Sequence, residues 1–315
     1  MTKRMSLSLI LLLIFSMILS ACGAPAAPTE VIVQPPVAVT EPPVIEAPAL
    51  DFAAIYAQMV GALPQGYAGM KPADVSTAMA EANPPFLLDV REAAELQADG
   101  YIKGTVHIPV RDVLKNLDKL PGLDDKIIIY CGSGQRGGIL TGVLRILGYT
   151  NVYNMGGGLG AWKKAGLPVE TGSMPEAAKT LGTPIIADEA LFKAFDESMS
   201  TLPDGFLGNK VDKVNELLGG ATAPVLVDLR TAAERQQGGY IKDSINVPVE
   251  ELFTSLDKLP AKDAAIIVYC GSGQRGSLVV NGLRMLGYTN VLNMGGGLTA
   301  WKTASLPVEG VVDWP

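Results

Sequence analysis

Along most of the chain, short apolar runs alternate with longer segments whose apolar residues recur three and four positions apart. Phe86–Asp89, Thr105–Ile108, Ile127–Tyr130 and Asn151–Met155 are runs of this kind, ending at or just before polar or turn residues, and they suit parallel strands buried on both faces. Between them, Ile139, Val143, Ile146 and Leu147 line one face of a helix predicted over Gly137–Leu147. Strands alternating with helices predict an α/β domain with a parallel sheet flanked by helices.

The first apolar run is of a different kind. It is uncharged from Leu7 to Leu19, follows Lys3 and Arg4, and is short for a membrane span, so it reads as an export signal. It stops at Leu19-Ser20-Ala21-Cys22-Gly23, which resembles the lipobox of bacterial lipoproteins, where the cysteine thiol is lipidated and the preceding peptide removed. On this reading residues 1–21 are a lipoprotein signal peptide and Cys22 carries the lipid. The protein is then expected at the cell membrane, anchored by that lipid and facing outside the cytoplasm, in the periplasm or at the cell surface. Residues 22–50 hold seven prolines, from Pro25 to Pro48, and no apolar periodicity, which predicts a semi-rigid tether.

Beyond the tether the chain is written twice. Tyr130-Cys131-Gly132-Ser133-Gly134-Gln135-Arg136-Gly137 recurs as Tyr269-Cys270-Gly271-Ser272-Gly273-Gln274-Arg275-Gly276, an offset of 270 − 131 = 139. Without a gap, the same offset superimposes Asp89-Val90-Arg91 on Asp228-Leu229-Arg230 and Gly100-Tyr101-Ile102-Lys103 on Gly239-Tyr240-Ile241-Lys242. Leu63-Pro64 falls on Leu202-Pro203. A period this long is a duplicated domain rather than a solenoid repeat. The expected domains are residues 51–171 and 190–315, joined by a linker over 172–189.

Composition and charge narrow the function. The 315 residues are 48% hydrophobic and 18% charged, enough for two packed cores. The net charge is −7, and loss of Lys3 and Arg4 with the signal makes it −7 − 2 = −9, which argues against nucleic acid as a partner. With Cys22 assigned to lipid, one cysteine remains in each repeat. Their matching places read as two separate thiols with one task rather than as a disulfide.

Cys131 to Arg136 is predicted to form the turn from the strand Ile127–Tyr130 into the following helix, at the carboxyl end of a parallel sheet where α/β folds bind ligands. Gly132 and Gly134 allow the backbone to curl so that successive N–H groups point inward, and the helix behind adds partial positive charge. The expected result is an anion cradle with a sulfur at its lip, surroundings that favour the nucleophilic thiolate. Arg136 adds a fixed charge and a forked donor for an anionic substrate group. Cys270 and Gly271, Ser272, Gly273, Gln274 and Arg275 repeat the arrangement.

Asp89-Val90-Arg91, Gly100-Tyr101-Ile102, the Cys131–Arg136 loop and Gly156-Gly157-Gly158 followed by Trp162 resemble the rhodanese homology domain. The second copy matches through Asp228-Leu229-Arg230, Gly239-Tyr240-Ile241, Cys270–Arg275, Gly295-Gly296-Gly297 and Trp301. The resemblance implies a fold of two tandem rhodanese-like α/β domains. It also implies a cysteine that takes sulfane sulfur from a donor such as thiosulfate, a persulfide or mercaptopyruvate, holds it as a persulfide, and passes it to a thiol or cyanide. That double displacement uses no metal and no organic cofactor. Cys131 and Cys270 are then catalytic, and Gly132, Ser133, Gly134, Gln135 and Arg136, with Gly271, Ser272, Gly273, Gln274 and Arg275, bind the substrate.

Many two-domain rhodaneses keep the cysteine only in the C-terminal copy, whereas this chain has it in both. Tyr101 and Tyr240 stand where many members have histidine before the isoleucine. The loop also lacks the Arg-Lys pair that follows the cysteine in thiosulfate-specialised members, so a less charged donor is expected to give the better kcat/KM. Because each copy holds its own strand, loop, helix and arginine, each is expected to work alone.

Other readings of the same residues are weaker. Gly132 to Gly137 matches Gly-x-Gly-x-x-Gly, but a dinucleotide site wants an acidic residue about 20 positions on, where the chain has Asn154 and Asn293. Cysteine phosphatases place five residues between cysteine and arginine, and here there are four. His107, the only histidine, aligns with Asn246 and cannot serve two identical loops. Asp89, Arg91 and Glu95, with Asp228, Arg230 and Glu234, read as an ion-pair network at the end of the first strand, and Trp162 and Trp301 as core. The competing function is a tethered, non-catalytic persulfide carrier or interaction module.

Overall fold

A computed structural model describes residues 49–310 apart from Thr183. The predicted signal peptide, Cys22 and nearly all of the tether lie outside the described residues. In the first repeat the elements are α1 (Phe52–Gly61), β1 (Gly69–Met70), α2 (Pro72–Met79), β2 (Phe86–Asp89), α3 (Ala93–Asp99), β3 (Thr105–His107), β4 (Ile127–Tyr130), α4 (Gln135–Ile146), β5 (Val152–Met155) and α5 (Gly158–Lys164). The second repeats them as α6 (Glu189–Ser200), β6 (Gly208–Asn209), α7 (Val211–Leu218), β7 (Val225–Asp228), α8 (Ala232–Gly238), β8 (Ile245–Asn246), β9 (Ile266–Tyr269), α9 (Gln274–Met285), β10 (Val291–Met294) and α10 (Gly297–Thr303). Each repeat builds a five-stranded parallel sheet, in the orders β1-β5-β4-β2-β3 and β6-β10-β9-β7-β8, flanked by helices.

The central strands are apolar because they are covered on both faces. Ile127, Ile128, Ile129 and Tyr130 are all fully buried, as are Ile266 to Tyr269. Helix starts carry their signals: Asp51 accepts from the Ala54 N–H, and Glu92 with Glu95, like Thr231 with Glu234, forms a capping box. Trp162 and Trp301 are core residues whose indole N–H groups donate to the Pro168 and Pro307 carbonyls. Two features differ from the sequence reading. The edge strands β1 and β6 are only two residues long, too short to leave a pattern. The helix after each cysteine loop begins at Gln135 and Gln274, so the loop proper is Cys131–Gly134 and Cys270–Gly273.

The two repeats share one core. A single apolar cluster contains Ile127, Ile129, Val143 and Leu144 of the first and Ile266, Val268, Val280 and Leu283 of the second. Its centre is the contact between α4 and α9, where a Cβ on Gly142 would lie 2.8 Å from the Leu278 carbonyl oxygen. Above this contact the first helices are exchanged. α1 packs on the 3-10 turn Leu252–Thr254 of the second repeat, with the Tyr56 ring 5.1 Å from that of Phe253. α6 packs in return on Val110–Asp112 and Leu114–Lys119 of the first.

Candidate functional site

Cys131 follows β4 directly and Cys270 follows β9; both are free thiols, 0% and 1% exposed. The Gly134 N–H donates to Cys131 Sγ over 3.1 Å, and the Gly273 N–H to Cys270 Sγ over 3.1 Å. Closing so tight a loop needs a left-handed residue at the helix cap, and Gly134 supplies it with φ +88°. A Cβ there would lie 2.9 Å from the Gly157 nitrogen. Gly132, by contrast, would meet only ordinary contacts, so its part in the curl is smaller than the sequence suggested.

The glycine triplets explain themselves in the same terms. A Cβ on Gly158 would sit 2.2 Å from the Cys131 carbonyl oxygen, and one on Gly297 2.3 Å from that of Cys270. This approach lets Leu159 and Gly160 donate N–H groups to the Cys131 and Gly132 carbonyls, at 2.7 and 3.0 Å. Leu298 and Thr299 do the same for Cys270 and Gly271. With its carbonyls bonded to the next helix, the loop is fixed around the sulfur.

Arg136 lies on the first turn of α4 with its fork already filled. Nη1 and Nη2 donate to Glu95 at 2.5 and 2.6 Å, and Arg275 makes the same pair with Glu234 at 2.7 and 2.6 Å. Burial acts to lower the Arg136 pKa, but the bond to Glu95 and the neighbouring Cys131 hold it above the ordinary value. The hydrogen bond from Arg275 holds the Glu234 carboxyl at about 2. The six charged residues thus divide in two. Asp89 with Arg91 and Asp228 with Arg230 are buried structural pairs at 2.6 Å, while Glu95 and Glu234 belong to the cysteine loops. His107 shares a 2.7 Å bond with the Arg91 carbonyl, as the Asn246 amide does with that of Arg230.

Both sites take residues from the opposite repeat. The turn Pro203–Gly208 of the second repeat lays Phe206 over Arg136, 4.7 Å from ring centre to guanidinium, and Tyr67 of the first lies 4.8 Å over Arg275. Tyr67, Ala68, Phe206 and Leu207 all have φ between +51° and +56°, a costly conformation for such side chains and one that clusters at functional sites. Gln135 and Gln274 hold these turns. The Gln135 amide donates to the Phe206 and Leu207 carbonyls, and that of Gln274 to the Tyr67 carbonyl.

Their side-chain oxygens cross as well: Gln274 accepts from Asn154, whose amide also donates to the Gly134 carbonyl, and Gln135 accepts from Asn293, which holds the Gly273 carbonyl. The side chains of Gln135 and Gln274 are therefore committed to the other repeat, and what they offer a substrate is backbone N–H. Ser133 and Ser272 line a small cavity of about 70 Å³ between the two loops. Each copy thus supplies its own strand, loop, helix and arginine, while core, first-helix packing and site cover are shared between the two.

Tyr67, Phe206, Asn154 and Asn293 were not singled out as site residues from the sequence. The available signal was the repeat of Pro64-x-Gly66-Tyr67 as Pro203-x-Gly205-Phe206, a turn that keeps an aromatic residue in both copies.

Comparison with known proteins agrees with this geometry. A sulfurtransferase of Allochromatium vinosum is 34% identical over 102 residues, 32% of this chain and 94% of that protein. Thiosulfate/3-mercaptopyruvate sulfurtransferases 1 (mitochondrial) and 2 of Arabidopsis thaliana are 26% and 28% identical, over 60% and 59% of this chain. The chain spans only 58% and 63% of those two relatives. The family model of the rhodanese-like domain matches residues 71–165 and again 210–304, the stretches that carry the two cysteine cradles, so the chain belongs to the rhodanese-like family, in tandem.

Proposed function

We propose that the chain is a sulfurtransferase in which Cys131 and Cys270 each accept sulfane sulfur as a persulfide and pass it to a thiol or to cyanide. The observation that carries this reading is the same cradle built twice, with a sulfur held by a backbone N–H beside a positioned arginine. In it, Cys131 and Cys270 are the nucleophiles. The backbone N–H groups of Gly132, Ser133, Gly134 and Gln135, with those of Gly271, Ser272, Gly273 and Gln274, receive the charge on the terminal sulfur. Arg136 and Arg275, each held by its glutamate, keep a fixed positive charge beside the sulfur.

Because each arginine fork is already bound to a glutamate, a donor of lower charge than thiosulfate is the better substrate, for example mercaptopyruvate or a low-molecular-weight persulfide. Intact-mass spectrometry after incubation with a donor is the test: Cys131→Ser and Cys270→Ser each gain one sulfur, and the double variant gains none. Labelling of the double variant would place the chemistry elsewhere. The burial of both sulfurs also suits a persulfide carrier, which would load once and show no multiple turnover with donor and thiol in excess.

Anchoring by a lipid on Cys22 belongs to the same proposal and rests on the Leu19–Gly23 pattern. Globomycin should then block processing, and a processed, membrane-retained Cys22→Ser protein would refute it.

A further inference from the structure

The two cysteine loops have the same sequence, whereas the residues that cover them differ. Tyr67 over Arg275 corresponds to Phe206 over Arg136, and Glu250 corresponds to Arg111, each at the offset of 139. Arg111 places its guanidinium 4.6 Å from the Phe206 ring centre, so that ring carries two guanidiniums, Arg111 and Arg136. At the other site the Tyr67 hydroxyl donates to Glu250 at 2.5 Å and lies 3.5 Å from Arg275. Burial, with the bond to Glu250 adding to it, pushes that hydroxyl up to about 12, so it stays a neutral donor.

The charges around each cover sum to the same value. Site one has Arg136, Arg111, Glu95, Glu92 and Asp204, and site two has Arg275, Glu234 and Glu250, each totalling −1. Their arrangement differs. Asp204 is fully exposed and Glu92 about half exposed, so both are screened by water. Arg111 is 28% exposed, binds the Leu202 carbonyl through Nε and Nη2, pairs through Nη2 with the exposed Asp204 at 3.2 Å, and brings Nη1 to 3.5 Å from Glu92. The positions matching Glu92 and Asp204 are uncharged, Thr231 and Gln65. Neither cysteine has appreciable exposed surface, and the covers beside the two sites differ in charge, with a second guanidinium at one and a carboxylate at the other.

We propose that donors reach each sulfur past its cover and that Arg111 and Glu250 are specificity-determining residues there: relative to a donor of lower charge, thiosulfate is used better at Cys131 than at Cys270. This rests on the sulfurtransferase reading. With thiosulfate, the cysteine thiolate attacks the outer sulfur, a Cys S–S bond forms, and the S–S bond of the donor breaks with its electron pair leaving on sulfite. With mercaptopyruvate, the thiolate takes the sulfur, the C–S bond breaks, and its electron pair with the thiol proton ends on the methyl group of pyruvate.

The test uses the full chain as Cys270→Ser, leaving only Cys131, and as Cys131→Ser, leaving only Cys270. The rate of persulfide formation is measured by quenched intact-mass spectrometry with thiosulfate and with mercaptopyruvate, and the ratio of the two rates is compared. The ratio should be larger at Cys131 by about 3- to 10-fold, the effect of reversing one partly exposed charge, and should fall toward equality as salt is raised. Arg111→Gln should lower the ratio at Cys131, Glu250→Gln should raise it at Cys270, and Arg111→Lys should retain it. Ratios equal within about twofold at the two cysteines would overturn the proposal and leave sulfur transfer intact. So would equal loss in Arg111→Lys and Arg111→Gln, since the guanidinium would then act only by holding the turn. No loading of either cysteine by either donor would overturn sulfur transfer itself.

Discussion

Separating the repeats is the perturbation to which this architecture is most sensitive. Cutting the described chain into residues 49–171 and 172–310 leaves α1 without Leu252–Thr254 and α6 without Val110–Lys119. Tyr56, Phe195, Met199 and Phe253, each no more than 6% exposed in the intact chain, lose partners across the cut. Exposing a large apolar side chain costs about 1.5–3 kcal/mol, so four of them cost roughly 6–12 kcal/mol. That rivals the whole stability of an ordinary domain, about 5–15 kcal/mol, before the contact between α4 and α9 is counted. Neither half should therefore give a native near-UV circular dichroism spectrum or a cooperative thermal transition, and each should bind a hydrophobic dye. Mixing the halves should restore part of the signal. A monomeric first half that unfolds cooperatively and loads Cys131 at the rate of the full chain would refute the reasoning.

Three further outcomes are expected. Gly142→Val should destabilise the two repeats together by about 1–3 kcal/mol in denaturant unfolding, because its Cβ meets the Leu278 carbonyl rather than a movable side chain. Glu234 has its pKa lowered in the folded state, so its contribution is present above the unfolded carboxylate value and is lost as pH falls from about 5 toward 2. Glu95 acts in the same direction, and Glu234→Gln should make the acid loss of stability shallower in unfolding curves recorded across that range. Asn154→Ala removes a donor to the Gly134 carbonyl and a tie to Gln274, so it should slow sulfur loading at Cys131 and perturb Cys270 as well; an effect confined to Cys131 would refute the cross-tie.

What the sequence disclosed were the parts governed by local pattern. Ile127–Tyr130 is apolar throughout because it is central in a parallel sheet, and the cysteine loop is recognisable because a tight strand-to-helix turn demands glycine at its cap. What it withheld are pairings between distant residues. Arg136 and Glu95 are 41 positions apart, and the ring over Arg136 comes from Phe206 in the other copy. No periodicity encodes such contacts. The exchange of α1 and α6 was hidden for the same reason, since an amphipathic helix announces that it will be covered but not by which neighbour.

The exchanged helices also set an order of events during synthesis. Tyr56 emerges early, but its partner Phe253 lies 253 − 56 = 197 residues later in the chain. Contacts of such separation close late and at a high entropic cost, which slows folding. Until the second repeat is made, the first stands with an apolar helix and an open flank, a state prone to misassembly with other chains. The acceptor turn Leu252–Thr254 must emerge before α1 can dock, so closing the shared core around both cysteine loops is a late step. A truncated translation product would then carry a cysteine loop without the turn that covers it.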